Sequence, residues 1–115
     1  MNATGRVGED VAAFHLERRG YAILARNYAV RGGEIDIIAR DGEYIVFVEV
    51  KRRKNGAFGL PRECLTPAQT ARIKRAALVY ATDLPSEQPY RFDVIEVLDE
   101  LHGECAVNHI IGAFW

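Results

Sequence analysis

The chain has 115 residues, 49% of them hydrophobic and 27% charged, with a net charge of −1. That is enough for one ordinary core and leads to the expectation of a single domain over residues 1–115. No apolar run approaches bilayer length, so a membrane-spanning role is set aside, and nucleic-acid binding, if present, must rest on a local basic patch rather than on overall charge. The opening MNATGRVGED lacks the basic and apolar regions of a secretory signal, which makes the cytoplasm the expected compartment. Cys64 and Cys105, far apart and in no CxxC, are then expected as reduced thiols rather than a disulfide or zinc site.

In chain order, Arg6–Arg19 reads as a helix with Thr4 as N-cap and Gly20 as its stop. Glu9, Ala12, Ala13 and Leu16 fall at i, i+3, i+4 and i+7, so an acid heads the small-residue stripe that should pack on a sheet. Glu9 has two readings: a first-turn acid complementing the helix dipole, worth about 0.3–1 kcal/mol, or part of a site. His15 is expected to serve packing or surface. Tyr21–Tyr28 reads as a strand. The following Gly32-Gly33 allows a bend or a close backbone approach just before Glu34.

Gly32 to Lys51, GGEIDIIARDGEYIVFVEVK, organises the rest. Asp41-Gly42 between two β-rich runs predicts a type I′ hairpin of strands Glu34–Arg40 and Glu43–Lys51. With Asp41 and Gly42 as the loop, Arg40 faces Glu43 and Asp36 faces Phe47. Alternation then puts Glu34, Asp36 and Ile38 on one face with Ile45, Phe47, Glu49 and Lys51. Asp36 and Glu49 become diagonal neighbours, roughly 7–8 Å apart at Cα, near enough to share one ion. The other face, from Ile35 to Val50, carries no charge. Lys51 leaves the converging acids uncompensated, an excess that Mg²⁺ or Mn²⁺ would satisfy through carboxylate oxygens. The alternative is a solvated, ion-paired surface.

Lys51-Arg52-Arg53-Lys54 and the glycine-rich stretch Asn55–Arg62 place basic charge on flexible backbone, with Phe58 as a base-stacking or anchoring residue. Thr66-Pro67-Ala68-Gln69 starts a helix running to about Thr82, with Thr as N-cap, Pro at the first position and Gln at the capping-box position. Gln69, Ile73, Ala76, Ala77 and Tyr80 form its inward stripe, beside a basic patch of Arg72, Lys74 and Arg75. Tyr90–Leu98 is a further strand whose Arg91 and Asp93 share a face and should pair. A turn at Asp99–Glu104 leads to a last strand, Ala106–Ile111. His102 is expected in that turn, and His109 as support for the fold. The closing Phe114-Trp115 should be buried against the body or against a second copy of the chain, making a homodimer a candidate assembly.

Asp36 followed by Glu49-Val50-Lys51 resembles the active-site signature of the PD-(D/E)xK nuclease superfamily. GEIDIIA, FVEVKRR, RFDV at Arg91–Val94 and the terminal NHIIGAF resemble the YraN-like family of predicted endonucleases over nearly the whole chain. That resemblance implies an α/β, restriction-endonuclease-like αβββαβ core with a mixed central sheet flanked by helices. It implies metal-dependent hydrolysis of phosphodiester bonds in DNA, including branched DNA as in related Holliday-junction resolvases. Asp36 and Glu49 would bind Mg²⁺ or Mn²⁺, with the Val50 carbonyl as a further ligand and Glu9, in the matching block GEDVAAFHL, as an outer one. Lys51 would orient or deprotonate the attacking water. Arg52, Arg53, Lys54, Gln69, Arg72 and Arg75 would face nucleic acid. Relatives generally carry a lysine where this chain has Gln69, which can bond a phosphate without neutralising it. Two rivals stay open: a non-catalytic nucleic-acid-binding or partner-recruiting module on the same fold, and an assembly protein using Phe114 and Trp115 as an interface.

Overall fold

The structure is a computed structural model that describes residues 3–53, 65–99 and 105–115, with side chains over 8–53, 65–98 and 106–115. The readings made for Lys54, the stretch 55–62, Cys64, His102 and the side chain of Cys105 lie outside these residues. Helix α1 (Ala3–Arg18) is followed by strands β1 (Ala22–Val30), β2 (Gly33–Asp41) and β3 (Tyr44–Arg53). Helix α2 (Pro67–Thr82) and strands β4 (Tyr90–Asp99) and β5 (Cys105–Phe114) complete the order. The five strands lie side by side in sequence order. Only β3 and β4, joined across α2, are parallel; the other neighbours are antiparallel. This is the expected α/β fold, a mixed sheet with the αβββαβ core of restriction-endonuclease-like proteins.

Alternation along β3 explains the layers. Val46 and Val48 point to a cluster completed by Ala12, Ala13 and Leu16 of α1 with Ile37, Ala39, Ile95 and Val97. Ile45 and Phe47 point to a second cluster with Ile73, Ala76 and Ala77 of α2 and Ile38 and Phe92. Each fully buried branched aliphatic contributes about 1.5–3 kcal/mol relative to exposure. The small residues on both helices let the backbones come close to the sheet.

Local signals fix the helix ends. Thr66 caps α2, with Gln69 N–H donating to the Thr66 hydroxyl at 3.2 Å and Thr66 N–H donating to the Gln69 amide oxygen at 2.8 Å. At the end of α1, Tyr21 N–H donates to Leu16 C=O and Gly20 N–H to Glu17 C=O, with Gly20 at φ +88°. These are the paired bonds of a Schellman motif, which requires the left-handed residue that glycine provides. The start of α1 differs from expectation: the helix begins at Ala3, so Thr4 lies inside it and Glu9 lies beyond its first turn. The dipole reading of Glu9 loses its basis, since that effect fades after the first turn.

The hairpin turn is shifted by one residue. Asp41 pairs with Tyr44, leaving Gly42 and Glu43 as the loop. Gly42 has φ +58° while Glu43 stays negative, the sign pattern of a type II′ turn rather than the predicted type I′. The register moves by two, which keeps facing parity and brings Asp36 one step beyond the Ile37–Val48 pair, level with Glu49 instead of diagonal to it. Strict alternation also fails in β2. Ile38 packs under α2, yet so does Ile35. A Cβ on Gly33 would lie 2.2 Å from the Arg72 carbonyl oxygen of α2, so this glycine permits the close approach expected of it. The strand therefore turns over between Ile35 and Ile38, at Asp36. At the C-terminus, Phe114 stacks on Phe92 with ring centroids 4.8 Å apart, but Trp115 is 85% exposed, so of the two expected burials for it the one against the chain's own body does not occur.

Candidate functional site

The turnover in β2 builds the site. Regular pairing with β3 ends at Ile37 and Val48. One step further, the Asp36 carboxylate reaches across and accepts the Val50 N–H at 2.8 Å, taking the place of a ladder carbonyl. The Glu49 carboxyl hydrogen-bonds Asp36 from β3. Burial first, then that bond and the Asp36 charge, push Glu49 up to about 9, although Lys51 pulls the other way. A carboxyl in this state holds a proton that a cation could displace.

Glu9 reaches the same place from α1. It is buried, and desolvation followed by the Asp36 charge raises it above the ordinary carboxylate range, with Arg26 only partly opposing. The Asn27 amide, turned with its nitrogen toward Glu9, donates to both carboxylate oxygens at 2.8 and 3.1 Å. Asn27 adopts φ 53°, a left-handed conformation that asparagine tolerates better than most residues. Sequence reasoning passed over it; an asparagine interrupting a strand pattern was the available signal.

Asp36, Glu49 and Glu9 thus converge on one another electrostatically, and Lys51 is the half-buried cation beside Glu49. Among the described residues, no three acidic, histidine or cysteine side chains form a ready three-ligand cage. The donors at hand are a pair of carboxylates one step past the end of the ladder, a set that could hold a hard cation that keeps several waters.

The expected nucleic-acid residues divide. Arg52 lies beside Gly8 of α1, whose added Cβ would come within 3.8 Å of the Arg52 Cδ. Arg53 donates its Nε–H to the fully buried Glu96 at 3.0 Å. Arg72 and Arg75 are exposed on α2, Arg72 at 4.0 Å from the exposed Glu34. Gln69 uses its amide oxygen in the α2 cap.

A second buried acid lies on β4. Asp93 accepts from Arg91 Nε at 3.1 Å and from the Gly112 N–H at 3.0 Å, and its Oδ2 lies 2.8 Å from His109 Nε2. Arg91 also binds Asp41 at 2.9 Å and the Tyr21 hydroxyl. Burial alone would raise Asp93, but the bonds from His109, Arg91 and Gly112 outweigh it and hold the carboxyl below its ordinary range. The Arg91–Asp93 pair orders the sheet as expected, and His109 serves the fold. His15 packs edge-on to His109, centroids 5.5 Å apart.

A mixed α/β sheet with carboxylates gathered where two strands part defines the class of domain. The uncharacterised protein family UPF0102 matches residues 8–97, and the chain belongs to that family, the one that the YraN-like resemblance pointed to. It is 43% identical over 111 residues to a UPF0102 protein of Syntrophomonas wolfei, covering 96% of each chain. It is 45% identical over 111 residues to a UPF0102 protein of Geotalea uraniireducens and 46% over 112 residues to one of Syntrophus aciditrophicus. In both cases 96% of this chain and 87% of the relative are covered. Among the described residues no helix is long and apolar enough to cross a membrane.

Proposed function

We propose that this protein is a metal-dependent endonuclease that hydrolyses phosphodiester bonds in DNA, with structured or branched DNA as the expected substrate. The observation that carries the reading is the convergence of Asp36 and Glu49 in a partly buried gap, where Asp36 accepts the Val50 N–H and burial, followed by the Asp36 carboxylate, pushes Glu49 up to about 9. Surface acids do not behave this way, because water and mobile ions screen them.

Asp36 and Glu49 would hold Mg²⁺ or Mn²⁺, with the Val50 carbonyl as a further donor and Glu9 as an outer partner steadied by Asn27. The cation supplies Lewis acidity and a lowered pKa for water. The chain's own groups do the rest. Asp36 is fixed by the Val50 N–H, which it accepts through one carboxylate oxygen. Lys51 orients the attacking water and offsets charge that develops on the phosphate. Arg52 and Arg53, just beyond it on β3, meet neighbouring phosphates, with Lys54, Arg72 and Arg75 extending the basic surface and Gln69 at its margin.

A second reading has one observation behind it. The Gln69 amide oxygen is engaged by the α2 cap, and the position adds no positive charge, which suits a module that binds DNA or recruits a partner without cleaving. The test is cleavage of labelled linear, single-stranded and four-way-junction DNA in Mg²⁺ and Mn²⁺, beside Asp36→Asn and Lys51→Ala. Cleavage by the wild type that EDTA and both substitutions abolish is the expected result. Binding without cleavage, unchanged by EDTA and by Asp36→Asn, would favour the second reading.

A further inference from the structure

Glu96 is fully buried in β4, yet it is an acidic residue within an otherwise apolar run, Phe92 to Val97, that also carries Asp93. Its place in the sheet explains it. In the parallel ladder Glu96 is the partner of Lys51, and in the antiparallel ladder on its other side it is the partner of Asn108. Lys51, Glu96 and Asn108 therefore form one row across three strands, with side chains on one face. Glu96 accepts from Asn108 Nδ2 at 2.9 Å through one oxygen and from Arg53 Nε at 3.0 Å through the other. Arg53 follows Lys51 by two residues on β3, so Glu49, Lys51 and Arg53 share that face.

We propose that Glu96 is a positioning residue: with Asn108 it holds the Arg53 guanidinium as a fixed contact for the phosphate next to the one attacked. The proposal rests on the nuclease reading of the site and extends it to groups that touch no substrate. Burying a carboxylate is costly unless it is paired and hydrogen-bonded. Both oxygens of Glu96 are used, and the geometry they fix belongs to an arginine whose side chain is still 28% exposed. A guanidinium gripped at Nε is restrained in direction, and a planar group so held suits phosphate recognition better than a freely moving one. Arg72, 4.0 Å from an exposed acid, has no such anchor. Arg53 is thus singled out from the general basic surface as the contact with fixed geometry.

The sign of one effect separates this role from a structural one. Removing a negative charge from a DNA-binding face should tighten binding by simple electrostatics. If Glu96 positions Arg53, its removal should weaken binding. Affinity for labelled duplex and four-way-junction DNA would be measured in Ca²⁺ across a salt series for wild type, Glu96→Gln, Asn108→Ala and Arg53→Ala, with thermal unfolding to confirm folding. The expected result is several-fold weaker binding by Glu96→Gln despite its more positive charge. Asn108→Ala, which leaves net charge unchanged and keeps the assay informative if the other variant misfolds, should show a smaller loss. Arg53→Ala should flatten the slope of log affinity against log salt by about 0.9, and adding Glu96→Gln to it should cause no further loss of binding. Unchanged or tighter binding by folded Glu96→Gln and Asn108→Ala, with wild type binding well, would overturn the positioning role and leave the nuclease reading intact. No salt-sensitive binding by wild type would overturn both.

Discussion

Asp93 and the Glu9–Asp36–Glu49 group are acids taken out of water in the same fold, and they behave in opposite ways. Asp93 has no exposed surface, but Arg91, His109 and the Gly112 N–H meet its oxygens, and its carboxyl is held below the ordinary range. Glu49 and Glu9 face Asp36 instead, and both are pushed upward. Burial opposes ionisation in each case; the partners decide the outcome. A fold that needs a buried acid for order surrounds it with donors. Acids brought together without enough positive charge are what the proposed cation would compensate.

Substitution at the two places should therefore have opposite effects on stability. Asp93→Asn would leave Arg91 and His109 facing a neutral amide, a loss of about 3–5 kcal/mol in line with breaking a buried pair, read as a lower urea midpoint. Asp36→Asn keeps an acceptor for the Val50 N–H and removes repulsion, so metal-free stability should stay level or rise while cleavage is lost. Equal destabilisation by both would erase the contrast. Lys51→Ala should lower cleavage by about 10²–10⁴-fold, the usual contribution of a positioned proton-transfer group, with little change in the urea midpoint.

Stability against pH sharpens the same contrast. Unfolded, Glu49 ionises near 4.5, whereas in the metal-free fold it keeps its proton to about 9. The folded state binds more protons across that window, so this group's contribution is greatest at or below 4.5 and declines as pH rises toward 9. Asp93 works the other way: its contribution is present above the unfolded value of 3.8 and is lost as pH falls toward the lower folded value. Urea midpoints of wild type and Asp36→Asn between pH 5 and 9 test the first limb, because the variant should lose the part of the slope that the Asp36 bond and charge supply and keep the part due to burial. The smallest effect is expected at the outer partner: Glu9→Gln should weaken apparent metal affinity by about 10–100-fold, as outer-shell substitutions do.

Much of this was legible beforehand because short-range rules carry it. The α2 capping box, the glycine stop of α1 and the apolar alternation of β3 are local signals, and every expected helix and strand is present, although the start of α1, the hairpin turn and the ends of β1 and β5 differ from the expected bounds. The facing parity of Asp36 and Glu49 survived even though the turn moved by one residue, since the register shift was an even number. What escaped were the consequences of tertiary packing. The turnover of β2 at Asp36, three residues after the close approach of α2 to Gly33, is a feature that no periodicity in β2 reveals. Asn27 reaches Glu9, and Asn108 reaches Glu96, only after the strands pair.

The central claim is that the Asp36–Glu49 pair waits for a cation. It is tested most directly by titrating metal-free protein with Mg²⁺ near pH 7.5 while recording the protons released. The account predicts release of about one proton per cation bound from wild type, as the Glu49 proton is displaced, and little or none from Asp36→Asn. Binding without proton release, or equal release from the variant, would contradict it.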